Sequence, residues 1–304
     1  MSLPVDLDFQ RYIERRKGAL EAQAREGAAY AYGGDLRVKK TLDSLRPVRL
    51  AVEASVRLWK SVARGELLGT AVKVSPQQFP KIDALVEQAS KALHIPRPTV
   101  YIAPQLGELN AHTFGTDEDA YIVMNGALVD HLTESELLFV LGHECGHIQN
   151  NHVVLTTALY YLMNAANRFL AWIVTPATMA LSAWSRRAEI TCDRAGLICA
   201  RNLDTAEAVL LKLALGSKKL YDQLNVEAFL DQLRQSTKEA GRGGGLSDKI
   251  GKLTELFHDH PYVPRRIEAL RIFAESHYYK ALTGGTGGLT QAEVDGKVGE
   301  VLGR

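Results

Sequence analysis

From Val5 to about Lys73 charged residues alternate with helix-spaced apolar ones. Val48, Val52, Val56, Trp59 and Ala63 fall on one stripe there, and Arg49, Glu53, Arg57 and Lys60 fall opposite. A helix patterned this way packs its stripe on the rest of the protein and leaves its charges in water. Gly33-Gly34 interrupts the stretch. Ser75-Pro76 opens the next helical run, which reaches about Leu93 and is stopped by Pro96-Arg97-Pro98. Three short β-branched and aromatic runs then read as strands: Thr99 to Ile102, Asn110 to Phe114, and Ala120 to Met124. The polar, glycine-containing segment from Gly115 to Asp119 suits a hairpin loop, so a small antiparallel sheet is expected.

Thr133 with Glu136 forms a capping box ahead of the apolar run Leu137 to Leu141, which marks the start of a further helix. The chain from Val153 to Trp184 is hydrophobic but interrupted by Asn164, Asn167, Arg168 and Pro176. Buried helices are expected there, with membrane association through 153–184 as the competing reading. Helical pattern resumes from Ser185 to about Gln235, and Gly241 to Gly245 breaks it. From Gly284 the chain is glycine-rich. The reading is a mainly helical α+β protein in three parts: an N-terminal helical region over 1–74, a catalytic domain over 75–282, and a loosely held tail over 283–304.

Composition narrows the function classes. The 36 Lys and Arg nearly balance the 35 Asp and Glu, so no large field favours nucleic acid or acidic lipid. Three cysteines without a C-x-x-C spacing fit a reducing compartment. The first residues are charged and lack a secretory apolar stretch, which makes the cytoplasm the expected location.

His143-Glu144-Cys145-Gly146-His147 carries the chemistry. At about 100° per residue, two histidines four apart lie one turn apart on one helical face, where both imidazoles can reach a single zinc ion. Glu144, about 100° round from His143, is placed to take a proton from water without being a ligand. A catalytic zinc needs a third protein ligand. His152 lies on a different face of the same helix and is a poor candidate. Glu189 can supply it, and Asp193, one turn on, can accept the outer N–H of a ligating histidine. The alternative for this acid pair is an ordinary surface bridge to Arg186 or Arg194.

These segments, together with Asn110-Ala111, Ser185-Arg186, Ala188 and His260-Pro261 followed by Arg266-Ile267, resemble the HtpX-like and CAAX-prenyl-protease-like zinc metallopeptidases of the gluzincin group. The resemblance covers about residues 75 to 275 and implies a zincin-like domain. It implies that His143, His147 and Glu189 bind one zinc ion per chain, that Glu144 is the base, and that Asp193 orients a ligating histidine. It further implies that the strand at Asn110-Ala111 pairs with extended substrate and that His260 and Arg266 form the far wall of the site. His260 is then the candidate oxyanion donor, with His258 and Tyr262 as rivals. Two departures stand out: Cys192 where alanine is usual, and no pair of hydrophobic spans ahead of the catalytic domain. The expected activity is hydrolysis of internal peptide bonds in proteins or unfolded peptides. The alternative is a zinc-retaining chaperone-like or scaffold protein with little proteolysis.

Overall fold

A computed structural model of the chain describes residues 28–58, 65, 69–103, 109–116, 119–164, 171–229, 231 and 263–303. The architecture is mainly helical α+β. In chain order the elements are α1 (Gly33–Leu42), α2 (Arg46–Leu58), β1 (Val72–Lys73), α3 (Pro80–Leu93), β2 (Thr99–Ala103), β3 (Ala111–Gly115) and β4 (Ala120–Asn125). They continue with α4 (Gly126–His131), α5 (Glu134–Gln149), α6 (Val153–Asn164), α7 (Ala171–Ala200), α8 (Leu203–Leu215), α9 (Lys218–Tyr221), α10 (Val263–Ala274), α11 (His277–Leu282) and α12 (Gln291–Leu302).

The sheet is mixed rather than antiparallel, in the order β1-β2-β4-β3. The expected hairpin is present, Ala111 facing Met124 and Gly115 facing Ala120. Because β4 reverses β3, and β3 has already reversed β2, β4 runs parallel to β2 when it lies beside it, with Val100 opposite Ile122. The short strand β1, inside the stretch expected to be helical, adds an antiparallel edge through Val72 opposite Ile102. Alternation along the strands serves two cores. Val100, Ile122 and Met124 face a large cluster that includes Leu138, Leu141 and Leu197. Tyr101, Tyr121 and Val123 face a smaller one roofed in part by Tyr161 of α6.

Two boundaries differ from the sequence pattern. The helix expected from Ser75 begins at Pro80, because Ser75 and Gln78 pair in a turn and Phe79 is left-handed with φ 64°. Proline at the first helical position loses no hydrogen bond and presets the helical φ. The expected loose tail is instead α12, started by a Thr290–Glu293 capping box and anchored by Val294 and Val298, both fully buried. Its Asp295 accepts a hydrogen bond from Arg194 at 3.0 Å. The glycines counted as flexible belong to the turn before this helix.

The N-terminal helices α1 and α2 pack on α6 and α7. Val48 is buried with Leu42, Leu155, Leu181 and Trp184, as the apolar stripe anticipates, while Trp59 and Ala63 lie outside the described residues. Gly33-Gly34 coincides with the start of α1. Among the described residues no helix is long and apolar enough to cross a membrane. Segment 153–184 spans α6 and the first half of α7, and Leu155, Ala158, Leu181 and Trp184 are buried against α1 and α2. Gly241 to Gly245 lies outside the described residues.

Candidate active site

Two helices make the site, α5 and α7, and small residues set how closely they meet. A Cβ added to Gly146 would lie 2.8 Å from the Cβ of Ala195 and 3.1 Å from the Cα of Cys192. One added to Gly142 would lie 2.7 Å from the sulfur of Cys199. Gly196 is hemmed in the same way, 2.8 Å from the carbonyl oxygen of Phe139. The three cysteines therefore pack as small hydrophobes between or beside these helices, all free and buried. Burial pushes the Cys199 thiol up to about 12 and those of Cys145 and Cys192 well above their ordinary value. The capping box expected at Thr133 is formed, so α5 starts in a fixed register.

That close approach brings Glu189 of α7 under both histidines of α5. His143 Nε2 lies 3.5 Å from one carboxylate oxygen of Glu189, and His147 Nε2 lies 3.6 Å from the other. All three side chains are buried. Ligands held at about 2.0–2.1 Å in a tetrahedral zinc site lie about 3.4 Å from one another, so these spacings suit donors around one ion better than a mutual hydrogen bond. Charge points the same way. Glu144, Glu189 and Asp193 bring three buried carboxylates, and Arg266 brings one guanidinium, which leaves two formal negative charges among these four residues. Burial disfavours a protonated His147, yet Glu189 and Glu144 outweigh it and raise its pKa, the response of a pocket that attracts a cation. His143, His147 and Cys192 also have potential donor atoms within 4.8 Å of one another. Cys192, however, has its sulfur 3.7 Å from His152 Nδ1, and that nitrogen faces the Nδ1 edge of His147 rather than its Nε2. His143, His147 and Glu189 are therefore the residues that could hold a metal ion through the two Nε2 atoms.

Asp193 stands where helix spacing puts it, one turn beyond Glu189, with Oδ1 3.0 Å from His143 Nδ1. An Nδ1–H donated to this carboxylate leaves the Nε2 lone pair of His143 directed to the pocket. Arg266 of α10 donates to Asp193 from Nε at 2.7 Å and from Nη2 at 2.6 Å, and its Nη1 lies 3.1 Å from Glu189. Burial works against the ionised Asp193, but Arg266 more than offsets it and holds the carboxyl below its usual range. Arg194, one of the two arginines weighed as a surface bridge to this acid pair, is fully buried and turns instead to Asp295 and the carbonyl of Tyr30.

Glu144 faces the sheet side of the pocket. Thr113 of β3 donates its hydroxyl to Glu144 Oε2 at 2.6 Å, fixing one oxygen of the carboxylate. Asn110 and Ala111, at the start of the same strand, line a cleft with Leu128, Phe139, Val140, Leu210 and Leu213 that opens beside His143, Glu144 and Arg266. Its wall is apolar and its floor carries the titratable groups. His258, His260 and Tyr262 lie outside the described residues.

Sequence reasoning missed three participants. Thr113 was legible only as a strand residue. His152, a poor ligand candidate on sequence grounds, lies beyond the end of α5 and is fully buried with its Nδ1 3.3 Å from His147 Nδ1. Asp35 of α1, 3.1 Å from His152 Nε2, had no local signal at all. Burial lowers the pKa of His152 against the opposing pull of Asp35, while burial raises that of Asp35 against His152, Thr191 and Trp184, which together leave it lowered.

The family model for Peptidase family M48 matches residues 76–274. The plastoglobule-localized metallopeptidase 48 of Arabidopsis thaliana is 34% identical over 221 residues, 71% of this chain and 63% of that protein. Protease HtpX of Haemophilus influenzae is 28% identical over 207 residues, 62% of this chain and 72% of the relative. A protease HtpX homolog of Moorella thermoacetica is 26% identical over 232 residues, 66% of this chain and 74% of its own. The chain thus spans less than two thirds of the plant protein's length. No solved structure gives a significant match.

Proposed function

The chain belongs to peptidase family M48, and from that premise we propose that it is a protease, a zinc-dependent endopeptidase. The observation that carries the proposal is the pair of Nε2 atoms, on His143 and His147, facing the two oxygens of Glu189 at 3.5 and 3.6 Å with Glu144 beside them. His143, His147 and Glu189 would hold the ion. Zinc bound there supplies a Lewis acid that lowers the pKa of a water and polarises a carbonyl.

The chain's own residues account for the remaining steps. Glu144 accepts the proton of the attacking water and later delivers it to the leaving amine, the work of a general base that becomes a general acid. Thr113 donates to Oε2 and so holds the carboxylate in one orientation while it carries that proton. Asp193 keeps His143 in the tautomer that offers Nε2, and Arg266 keeps Asp193 ionised and in place. Strand β3, the last in the sheet order, receives the substrate main chain near Asn110 and Ala111. Extended or unfolded protein segments, which can pair along a strand edge, are the substrate class this predicts.

Zinc content and casein cleavage of the wild type and of Glu144→Gln test the reading together. One zinc in each protein with cleavage only by the wild type supports it. Zinc in both with no cleavage by either favours a zinc-retaining binding protein, and no zinc in either removes the ligand set.

A further inference from the structure

Each of the two pocket histidines has a second ring nitrogen to satisfy, and the two are satisfied differently. His143 meets Asp193 directly at 3.0 Å. Among the described residues His147 meets no carboxylate on that edge; its Nδ1 faces His152 Nδ1 at 3.3 Å. If His147 offers Nε2 to the pocket, its Nδ1 carries the proton, and His152 Nδ1 must accept it. His152 then carries its own proton on Nε2, the atom 3.1 Å from Asp35 Oδ2. That 3.1 Å contact is too bent to count as a hydrogen bond, which leaves His152 Nε2 a buried nitrogen whose nearest carboxylate is Asp35. A small turn of the ring would align it, and only this pair of tautomers lets His147 donate to His152 while an N–H faces Asp35. The thiol of Cys192, 3.7 Å from the same Nδ1, can only add a weak donor to an atom already accepting.

Asp35 is built to stay where it is. It is fully buried and accepts hydrogen bonds from Trp184 Nε1 at 2.8 Å and Thr191 Oγ1 at 2.7 Å. The two neutral donors would serve an amide oxygen equally well. A full carboxylate buried at this depth is costly unless a polarised donor faces it. The segment that carries Asp35 is tied down independently, Tyr32 N donating to Thr191 and Gly33 N donating to Asp295 of α12.

We propose that Asp35 and His152 form a relay that positions His147, so that α1, outside residues 76–274, contributes to the metal site as a positioning element. Asp35 does at one remove for His147 what Asp193 does directly for His143. The proposal rests on the zinc reading above. Its test is arranged so that the two can fail separately.

Zinc affinity is measured on the full chain by competition with a fluorescent chelator, for the wild type, Asp35→Asn and Gln291→Ala. Loss of an outer partner of a metal-binding histidine typically weakens metal binding by about 10–100-fold, and the lower end of that range is expected for Asp35→Asn, which acts through His152. Gln291→Ala removes a donor to the carbonyl of Ala31, in the segment that carries Asp35, but touches neither Asp35 nor His152, and its affinity is expected to stay within about twofold. A folded Asp35→Asn with wild-type affinity overturns the relay and leaves the ligand set standing. Equal losses in both variants also overturn it, since general loosening would then be the cause. If Asp35→Asn does not fold, nitrogen-15 NMR of the zinc-loaded wild type decides. The relay requires His147 protonated on Nδ1 and His152 on Nε2, and a proton on Nδ1 of His152 refutes it. A wild type that binds no zinc overturns the ligand reading and the relay with it.

Discussion

Arg266 grips Asp193 with two nitrogens at once, Nε on Oδ2 at 2.7 Å and Nη2 on Oδ1 at 2.6 Å, while its third nitrogen lies 3.1 Å from Glu189. One planar guanidinium thus links the carboxylate behind His143 to the carboxylate between both histidines. Lysine cannot reproduce the fork. Arg266→Lys is expected to lower unfolding stability by about 1.5–3 kcal/mol, the worth of one charge-assisted hydrogen bond lost in a buried setting. It should also weaken zinc binding. Urea denaturation checks the first effect, and a midpoint equal to the wild type's would show that the fork is replaceable.

Thr113 touches the base and no metal-facing atom, which separates its effect from that of the ligands. Thr113→Val keeps the shape of the side chain and deletes the hydroxyl. The expected result is full zinc content with kcat reduced roughly tenfold, because Glu144 loses the bond that fixes one oxygen, and general acid–base catalysis is worth about 10²–10⁴-fold in all. A drop in zinc content would place the fault in the metal site instead.

Gly146 lies at the crossing of α5 and α7, where an added methyl has no space between Ala195 and the backbone of Cys192. Gly146→Ala must push the helices apart, at a cost of about 1–3 kcal/mol for overpacking. The displacement moves Glu189 away from His143 and His147, so zinc affinity should fall along with the melting temperature. An alanine variant more stable than the wild type, as helix propensity alone would give, would show that the contact is slack.

Removing the ion should destabilise the protein, since a ligand bound to the folded state adds about 4 kcal/mol at a free concentration of 1,000 times Kd. A chelator is expected to lower the melting temperature of the wild type, and much less that of His143→Ala, which has already lost a donor. Equal shifts in both would point to an effect elsewhere.

The thiols give an independent check on packing. Cys145, Cys192 and Cys199 are buried, and Cys199 is pushed up to about 12, so the thiolate is scarce at pH 8. A thiol reagent at that pH should label none of the three in the native protein and all three in urea. Rapid native labelling would mean that α5 and α7 separate readily.

Local sequence determined whatever depends on short spacing. His143 and His147 had to share a face because an α-helix repeats every 3.6 residues, and Glu189 and Asp193 follow the same rule on α7. The capping box at Thr133 and the hairpin from β3 to β4 were legible for a similar reason, each being closed by residues a few positions apart. Tertiary structure decided the pairings that bridge long stretches of chain. Asp35 lies 117 residues before His152, and Thr113 lies 31 before Glu144. No periodicity links such partners, and many other polar residues could have filled either place. The parallel pairing of β2 with β4 and the docking of α12 through Asp295 are of this kind. A strand or helix can be recognised from its own residues, but its neighbour is chosen by where the remaining apolar surface of the whole chain can be buried.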